Sequence, residues 1–168
     1  DAALREDVVR VWFTTENAQG EGEKQNVQVE NLYLKGADKN NYTLASSKNL
    51  TNAGVIRPKE ITLKELDQSH LYNVSSYPIA KEYDGTTDSA YTPNKGFHYK
   101  IEGALTGDQL DVHVGKGTYE DKNVGDRKTV TFSDLSLIDV NGTHKDKNYR
   151  LTTSSFTSNL GKISQKRV

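Results

Sequence analysis

Histidines and acidic residues are the side chains in this sequence best suited to metal binding or acid–base chemistry. The four histidines are His70, His98, His113 and His144. No two of them have a spacing that would place both imidazoles on one face of a strand or helix, so we expect solvated surface positions. No cysteine is present. This excludes thiolate catalysis, iron–sulfur clusters, cysteine-based zinc sites and disulfides.

One segment is rich in the oxygen ligands that Ca²⁺ prefers. It contains Asp139, Asn141, Thr143 and Asp146. Gly142 stands in the wrong place for an EF-hand loop, and a polar hairpin tip explains the same residues. The sequence also has no nucleophile elbow, phosphate loop or dinucleotide-binding fingerprint. We therefore expect no enzyme activity, no resident metal and no cofactor.

Adjacent aromatic residues are the leading candidates for ligand binding. Trp12 and Phe13 stand side by side and would suit stacking against a sugar. Tyr72, Tyr77, Tyr91, Phe97 and Tyr99 extend this aromatic set, although core and cross-strand packing explains it as well.

Four Asn-x-Ser/Thr triplets are possible glycosylation sites, and they begin at Asn41, Asn49, Asn73 and Asn141. Modification of this kind favours exposed loops. Asn73 and Asn141 have the most loop-like polar surroundings, so they are the preferred candidates.

Charge and hydropathy exclude two classes of partner. The 168 residues include 22 basic and 23 acidic side chains, which leaves a net charge of −1 and gives no general attraction to nucleic acid. No apolar run approaches the roughly 18 residues that a membrane span needs, so we expect no membrane insertion.

Short runs of alternating apolar residues, separated by glycine-rich turns, predict an all-β protein. The alternation slips between Val29 and Leu32, and again between Phe132 and Leu135, which predicts a bulge or tight turn at both places. We expect tandem small antiparallel β domains and favour an immunoglobulin-like sandwich. A β-grasp-like arrangement with a short helix is the alternative, in which residues 103–110 would form that helix. Residues 63–71 carry similarly weak helical character.

An internal repeat defines the domain organisation. The run from Val27 to Leu34 matches that from Val130 to Leu137, and Asn52, Gly54 and Ile56 match Asn159, Gly161 and Ile163. In this alignment Val9 and Val11 match Val112 and Val114, which places Trp12-Phe13 where the second copy has Gly115-Lys116.

The period of the repeat, about 100 residues, is that of a whole domain. Residues 1–60 form a partial repeat and 61–168 a complete one. Either the domain boundary is permuted, or the partial repeat borrows strands from a neighbour.

The segment from Ala80 to Thr87 reads Ala-Lys-Glu-Tyr-Asp-Gly-Thr-Thr. Lys81 and Tyr83 alternate as on a strand. Asp84-Gly85 supplies a turn, because aspartate accepts nearby backbone N–H groups and glycine adopts positive φ without strain. This pattern indicates a structural corner rather than a reactive site.

The Lys-x-Tyr-Asp-Gly-Thr-Thr segment resembles the YDG-type repeat of filamentous-haemagglutinin-like, two-partner-secreted bacterial surface adhesins. The resemblance extends in order through residues 103–108, 117–125 and 161–163. It implies a secreted protein of the bacterial outer cell surface whose repeats form a stalk that supports cell adhesion. The alternative is that this segment itself binds a glycan or protein on host or neighbouring cells, with Trp12 and Phe13 as its site. Adjacent repeats of the same chain are the other implied partners.

Overall fold

The chain divides into two compact units. The structure, a computed structural model, describes residues 9–15, 23–44, 47–67, 78–140, 142 and 145–168. Unit 1 is Asp1–Pro58 and unit 2 is Lys59–Val168. The repeat boundary inferred between residues 60 and 61 falls inside the first strand of unit 2, Lys59–Glu65. Within the described ranges, no helix is long and apolar enough to cross a membrane.

In its described residues, unit 1 contains one antiparallel sheet of three strands. These are β1 (Arg10–Phe13), β2 (Lys24–Glu30) and β3 (Ser47–Val55), in the order β1-β2-β3. A short 3-10 helix, Lys39–Asn41, precedes β3. Val11 lies opposite Val29, and Phe13 lies opposite Val27. Because side chains alternate between the two faces of a sheet, these four apolar residues share one face.

Unit 2 contains a three-stranded and a five-stranded sheet. Its strands are β4 (Lys59–Glu65), β5 (Ile79–Glu82), β6 (Asp88–Ser89), β7 (Tyr99–Glu102), β8 (Leu110–Tyr119), β9 (Gly125–Asp139), β10 (Tyr149–Leu151) and β11 (Ser155–Ser164). The strand order is β10-β4-β7 in one sheet and β5-β11-β9-β8-β6 in the other. The predicted all-β class is confirmed.

Most strand pairs are antiparallel, as expected, but two pairs of unit 2 are parallel. β4 pairs with β10, and β5 pairs with β11. In both cases a strand from the beginning of the unit pairs with one from its end. Both sheets are therefore mixed, which departs from the fully antiparallel sheets that local turn signals predict.

The two sheets of unit 2 share one hydrophobic core. Leu63 and Tyr99 come from the three-stranded sheet, while Val130, Phe132 and Phe156 come from the five-stranded sheet. Alternation along β9 buries Val130 and Phe132 completely. Full burial of a side chain of this size contributes about 2 kcal/mol from the hydrophobic effect. Packing between the two sheets therefore provides the main stabilisation of unit 2.

The weak helical predictions are wrong for the residues that the structure describes. Residues 63–65 belong to β4, in which Ile61 and Leu63 are buried with the period of two typical of a strand; residues 68–71 lie outside the described ranges. Residues 103–109 form turns before β8, because Gly103 and Gly107 both have φ near 95°, which a right-handed helix does not allow. The short helix of the β-grasp alternative is not found there.

The predicted slips in strand alternation are confirmed. Asn31 and Asp134 stand at equivalent places in the repeat, and both have φ of 55°. Gly115 lies beside Asp134, where the paired register between β8 and β9 skips one residue on each strand. After each residue of positive φ, the apolar side chains move from even-numbered to odd-numbered positions, or the reverse, while they continue to face the same side of the sheet.

The pairing of unit 1 repeats the pairing of β8, β9 and β11. In unit 1, Val11 faces Val29 and Phe13 faces Val27. In unit 2, Gly117 faces Phe132 and Tyr119 faces Val130 in the same arrangement. On the other side of the middle strand, Val29 faces Lys48 as Phe132 faces Phe156, and Gln25 faces Gly54 as Lys128 faces Gly161. In both units the third strand has a register shift before its glycine.

This register corrects one detail of the sequence alignment. Trp12-Phe13 is equivalent to Thr118-Tyr119, and not to Gly115-Lys116. The alternating valines of β1 satisfy more than one register, so hydrophobic pattern alone did not distinguish them. Phe13 therefore stands where unit 2 has a buried core tyrosine.

Candidate functional site

The segment from Lys81 to Thr87 folds into a tight polar corner after β5, called the YDG corner below. The Asp84 carboxylate oxygen Oδ1 accepts hydrogen bonds from the Thr86 backbone N–H at 2.8 Å and from its hydroxyl at 2.9 Å. The Lys81 ammonium donates to the same Oδ1 at 2.9 Å and to the Thr86 carbonyl oxygen at 2.9 Å. Gly85 has φ of 82°, as expected for the turn residue.

The corner connects the two edge strands of the five-stranded sheet, β5 and β6. The sequence instead predicts a turn that reverses one strand into the next. Tyr119 lies between the two ends: its hydroxyl donates to the Ile79 carbonyl oxygen at 3.1 Å, and its backbone N–H donates to the Thr87 carbonyl oxygen at 2.8 Å. The Lys81 ammonium lies 5.4 Å from the centre of the Tyr119 ring, a cation–π distance. The corner thus brings both edges of the sheet together around one tyrosine.

The charged groups of the corner, Lys81 and Asp84, are paired with each other. The hydrogen bond from Lys81, followed by those from Thr86, lowers the pKa of Asp84 from 3.8 to about 2. Asp84 is therefore a carboxylate at neutral pH and cannot act as a general acid. A groove of about 580 Å³ beside it is also lined by Ser89 and Tyr91. With Lys81 and Asp84 bound to each other, the corner is suited to holding the fold rather than to catalysis.

A second corner uses the same design. Asp121 accepts from the Asn123 backbone N–H at 2.7 Å and from the buried ammonium of Lys128 at 2.7 Å. Lys128 is the first cause of the lowered pKa of Asp121. Each corner therefore pairs a lysine stem packed in the sheet with an aspartate that holds a turn.

The YDG domain model matches residues 68–156, more than half of the chain. This chain belongs to the YDG domain family. The matched range contains the YDG corner and the strands β5 to β10. Comparisons with curated proteins and with solved structures gave no match. The assignment of residues 1–60 as a partial YDG repeat lies outside the matched range and stays a prediction.

Trp12 and Phe13 do not form one ligand-binding surface. They are adjacent on β1, so their side chains point to opposite faces of the sheet of unit 1. Trp12 is 41% exposed and Phe13 is 39% exposed. Phe13 shares its face with Val27 and lies over Gly54, where an added Cβ would clash with the Phe13 ring. Of the pair, only Trp12 lies on the face away from the apolar residues.

The other described aromatic candidates of unit 2 make packing contacts with buried residues, although Phe97 is also 38% exposed. Tyr99 is buried, and its ring centre lies 5.2 Å from that of Phe156. Tyr91 and Phe97 each place a ring against His98. Tyr72 and Tyr77 lie outside the described residues. The packing interpretation therefore holds for the part of this set that the structure describes.

The remaining site predictions fall largely outside the described ranges. Asn73, Asn141 and Thr143 are among the residues that the structure does not describe, so glycosylation at Asn73 and Asn141 stays a prediction. Of the proposed calcium ligands, Asp139 ends β9 and Asp146 lies in a 3-10 helix, Lys145–Asn148. In the described part of the chain, no group of three or more His, Asp or Glu side chains is arranged to hold a metal ion.

His98 is the residue that sequence analysis placed wrongly. It is 2% exposed and lies between the rings of Tyr91, Phe97 and Phe132, whose centres are 5.3, 4.6 and 6.4 Å from the centre of its imidazole. Its Nδ1 accepts from the Asn94 backbone N–H at 3.1 Å, while Nε2 is buried with no hydrogen-bond partner in the described structure. Burial lowers the pKa of His98 below 6.5. The aromatic residues on either side of His98 in the sequence, Phe97 and Tyr99, were the available signal.

Acid is expected to destabilise unit 2 through His98. Its pKa is lower in the folded state than the ordinary 6.5, so the unfolded chain binds the proton more readily. The free energy of unfolding should therefore fall as the pH drops below about 6.5 towards the lower folded pKa. Asp84 does not contribute in this window, because the stability from its lowered pKa is lost only below 3.8, towards about 2. Chemical denaturation followed at about pH 7.5 and pH 5 measures the difference.

His98→Asn removes the titration but keeps an acceptor for the Asn94 N–H, so its stability should depend less on pH. His113→Asn is the matched control, because His113 lies exposed on β8. An equal acid loss in the wild type and in His98→Asn would show that other groups cause it.

Proposed function

We propose that this chain supplies load-bearing stalk repeats of a large secreted adhesin on the outer surface of a bacterium. The YDG family supports the repeat type, and the sequence resemblance to filamentous-haemagglutinin-like proteins suggests the setting. On this proposal the repeats hold an adhesive region away from the cell, and the partner on a host or neighbouring cell is bound through the parent adhesin.

The observation that carries the proposal is the parallel pairing of β5 with β11. Ile79 pairs with Gly161, and Glu82 pairs with Ser164. If β5 is pulled from its N-terminal end and β11 from its C-terminal end, the two strands are drawn in opposite directions along one axis. All of their hydrogen bonds then resist together. Had the two strands been antiparallel, the same pull would open the bonds one at a time.

Neighbouring contacts reinforce this pair. The Tyr83 backbone N–H donates to the Ser164 carbonyl oxygen at 2.9 Å, which continues the ladder beyond β5. The Ser164 hydroxyl donates to the Lys81 carbonyl oxygen at 3.3 Å. The YDG corner immediately follows β5, so its ion pair fixes the C-terminal end of that strand, opposite to the end at which the pull is applied. A fold signature at this position suits a protein that must resist extension.

Single-molecule pulling tests the proposal. The chain has no cysteine, so cysteine handles can be placed at chosen sites. Pro78→Cys with Lys166→Cys loads the β5–β11 pair in shear, while Glu82→Cys with Lys166→Cys opens the same pair from one end. All three positions are exposed. We expect unfolding in shear to need at least about twofold more force, because forced unfolding depends on the barrier along the pulling direction. Equal and low forces in both geometries would contradict a load-bearing role.

A ligand-binding module is the second candidate function. One observation favours it: Trp12 is the single tryptophan of the sequence and stands exposed on the polar face of β1. An exposed tryptophan can stack on a sugar. The separation of Trp12 from Phe13 on opposite faces leaves one aromatic ring there instead of two.

A further inference from the structure

One face of unit 1 is apolar and only partly covered. We call Val11, Phe13, Val27 and Val29 the unit 1 face. Val11 is 63% exposed, and the two valines of β2 are half-buried. In unit 2, by contrast, the equivalent positions Tyr119, Val130 and Phe132 are almost completely buried. The same arrangement of strands is therefore buried in one unit and open in the other.

The structure shows what covers this face in unit 2. Leu63 of β4 and Tyr99 of β7 belong to the same core as Tyr119 and Val130. β5 contributes from the edge of the same sheet: Ile79 is buried in this core, and its carbonyl oxygen accepts a hydrogen bond from the Tyr119 hydroxyl at 3.1 Å. Strands β4 and β7 thus cover the sheet formed by β8, β9 and β11, and β5 extends that sheet beyond β11.

Unit 1 keeps the features that receive these strands. Gly54 lies against Phe13 and Val27 as Gly161 lies against Tyr119 and Val130. β3 is an edge strand of its sheet within the described residues. Its end at Gly54 is equivalent to the place on β11 where Gly161 pairs with Ile79 of β5. Both the apolar surface and the free edge therefore match the same missing strands.

We propose that the unit 1 face binds strands equivalent to β4, β5 and β7 from a neighbouring YDG repeat of the same polypeptide, so that unit 1 is the second half of a split domain. A second copy of this chain is a poor donor. The described part of the chain contains two sheets of the β8-β9-β11 type but one set of covering strands, and unit 2 uses that set. The inference concerns how unit 1 is completed and is independent of the load-bearing role.

A fusion protein tests this inference. Arg10 pairs with Glu30 as Lys116 pairs with Ser133, and Glu30 and Ser133 are equivalent in the repeat, so Arg10 is equivalent to Lys116. Counting back along the chain from these two residues makes Asp1 equivalent to Gly107. Placing a second copy of residues 59–106 directly before Asp1 of the full chain restores the spacing of a complete domain. We expect the Val27 and Val29 amides to exchange hydrogen at least about tenfold more slowly than in the unfused chain, because the strands become part of a closed core.

The matched control carries Leu63→Asp and Ile79→Asp in the added copy alone. Both residues are buried in unit 2, so the added strands should then fail to dock and the exchange should return to the unfused rate. Phe13→Ala gives a second measurement: it should accelerate exchange strongly in the fusion and weakly in the unfused chain. Unchanged exchange in the wild-type fusion would overturn the proposal. So would an unfused chain that dimerises and already protects these amides, since the donor would then be a second copy.

Discussion

Replacing Phe132 with alanine is expected to lower the free energy of unfolding of unit 2 by about 4 kcal/mol. Phe132 has no solvent exposure and lies at the centre of β9, between Gly117 of β8 and Phe156 of β11. Its ring centre is 5.2 Å from that of Phe156 and 6.4 Å from that of His98. Truncation removes these contacts and leaves a cavity, because the paired strands on both sides cannot close together.

Denaturant unfolding, with hydrogen exchange of the β9 and β11 amides as a second readout, measures this loss. Leu105→Ala is the control, because Leu105 is 59% exposed in the turn before β8 and its truncation should change stability by less than about 0.5 kcal/mol. Phe132→Leu covers the case in which the alanine variant does not fold. Its loss should be smaller but still well above the control. A loss at Phe132 that is no larger than the loss at Leu105 would mean that the two sheets do not share this core.

Local signals in the sequence predicted the all-β class and the turn at Asp84-Gly85, but they gave weak helical character to residues 63–65, which belong to β4. Asp84-Gly85 was identified as a turn because aspartate and glycine each have a backbone preference that does not depend on the rest of the fold. The slip at Phe132 and Leu135 was also readable, because one residue of positive φ changes the phase of the alternation.

Long-range pairing could not be predicted in the same way. No local sequence feature of β5 or β11 indicates that these two strands, which lie near opposite ends of unit 2 in the sequence, pair in parallel. The same limit affected β1. Its position opposite β2 depends on register, and the valines around Trp12 fit several registers. Phe13 was therefore interpreted as half of an exposed site, although its equivalent in unit 2 is the buried Tyr119.

His98 shows a related limit. A histidine in a polar sequence is usually solvated, and Lys95 and Lys100 both lie within three residues of His98 in the sequence. Its burial follows from where β7 begins: Tyr99 is the first residue of that strand, and the turn before it places His98 against Tyr91 and Phe132. Tertiary packing, and not residue type, decided its environment.

Gly161→Ala is expected to destabilise unit 2 by about 3 kcal/mol. A Cβ at Gly161 would come 2.8 Å from Val130 Cγ2 and 3.0 Å from Tyr119 Cε1, and it would also press on the Lys128 carbonyl oxygen at 2.5 Å. The side chains can adjust, but the carbonyl belongs to the paired backbone of β9, so the strands themselves would have to separate. Backbone conformation is not the cause, because Gly161 does not have positive φ.

Gly125→Ala on β9 is the matched control for the same substitution. Its added Cβ would meet nothing closer than the Lys128 side chain at 3.8 Å, so the free energy of unfolding should stay within about 0.5 kcal/mol of the wild type. Equal stability of the two alanine variants would show that β9 and β11 do not approach this closely. A large loss at Gly161 alone would explain why unit 1 has Gly54 at the equivalent position: the aromatic rings of Phe13 and Tyr119 can contact β3 and β11 this closely only where those strands have no side chain.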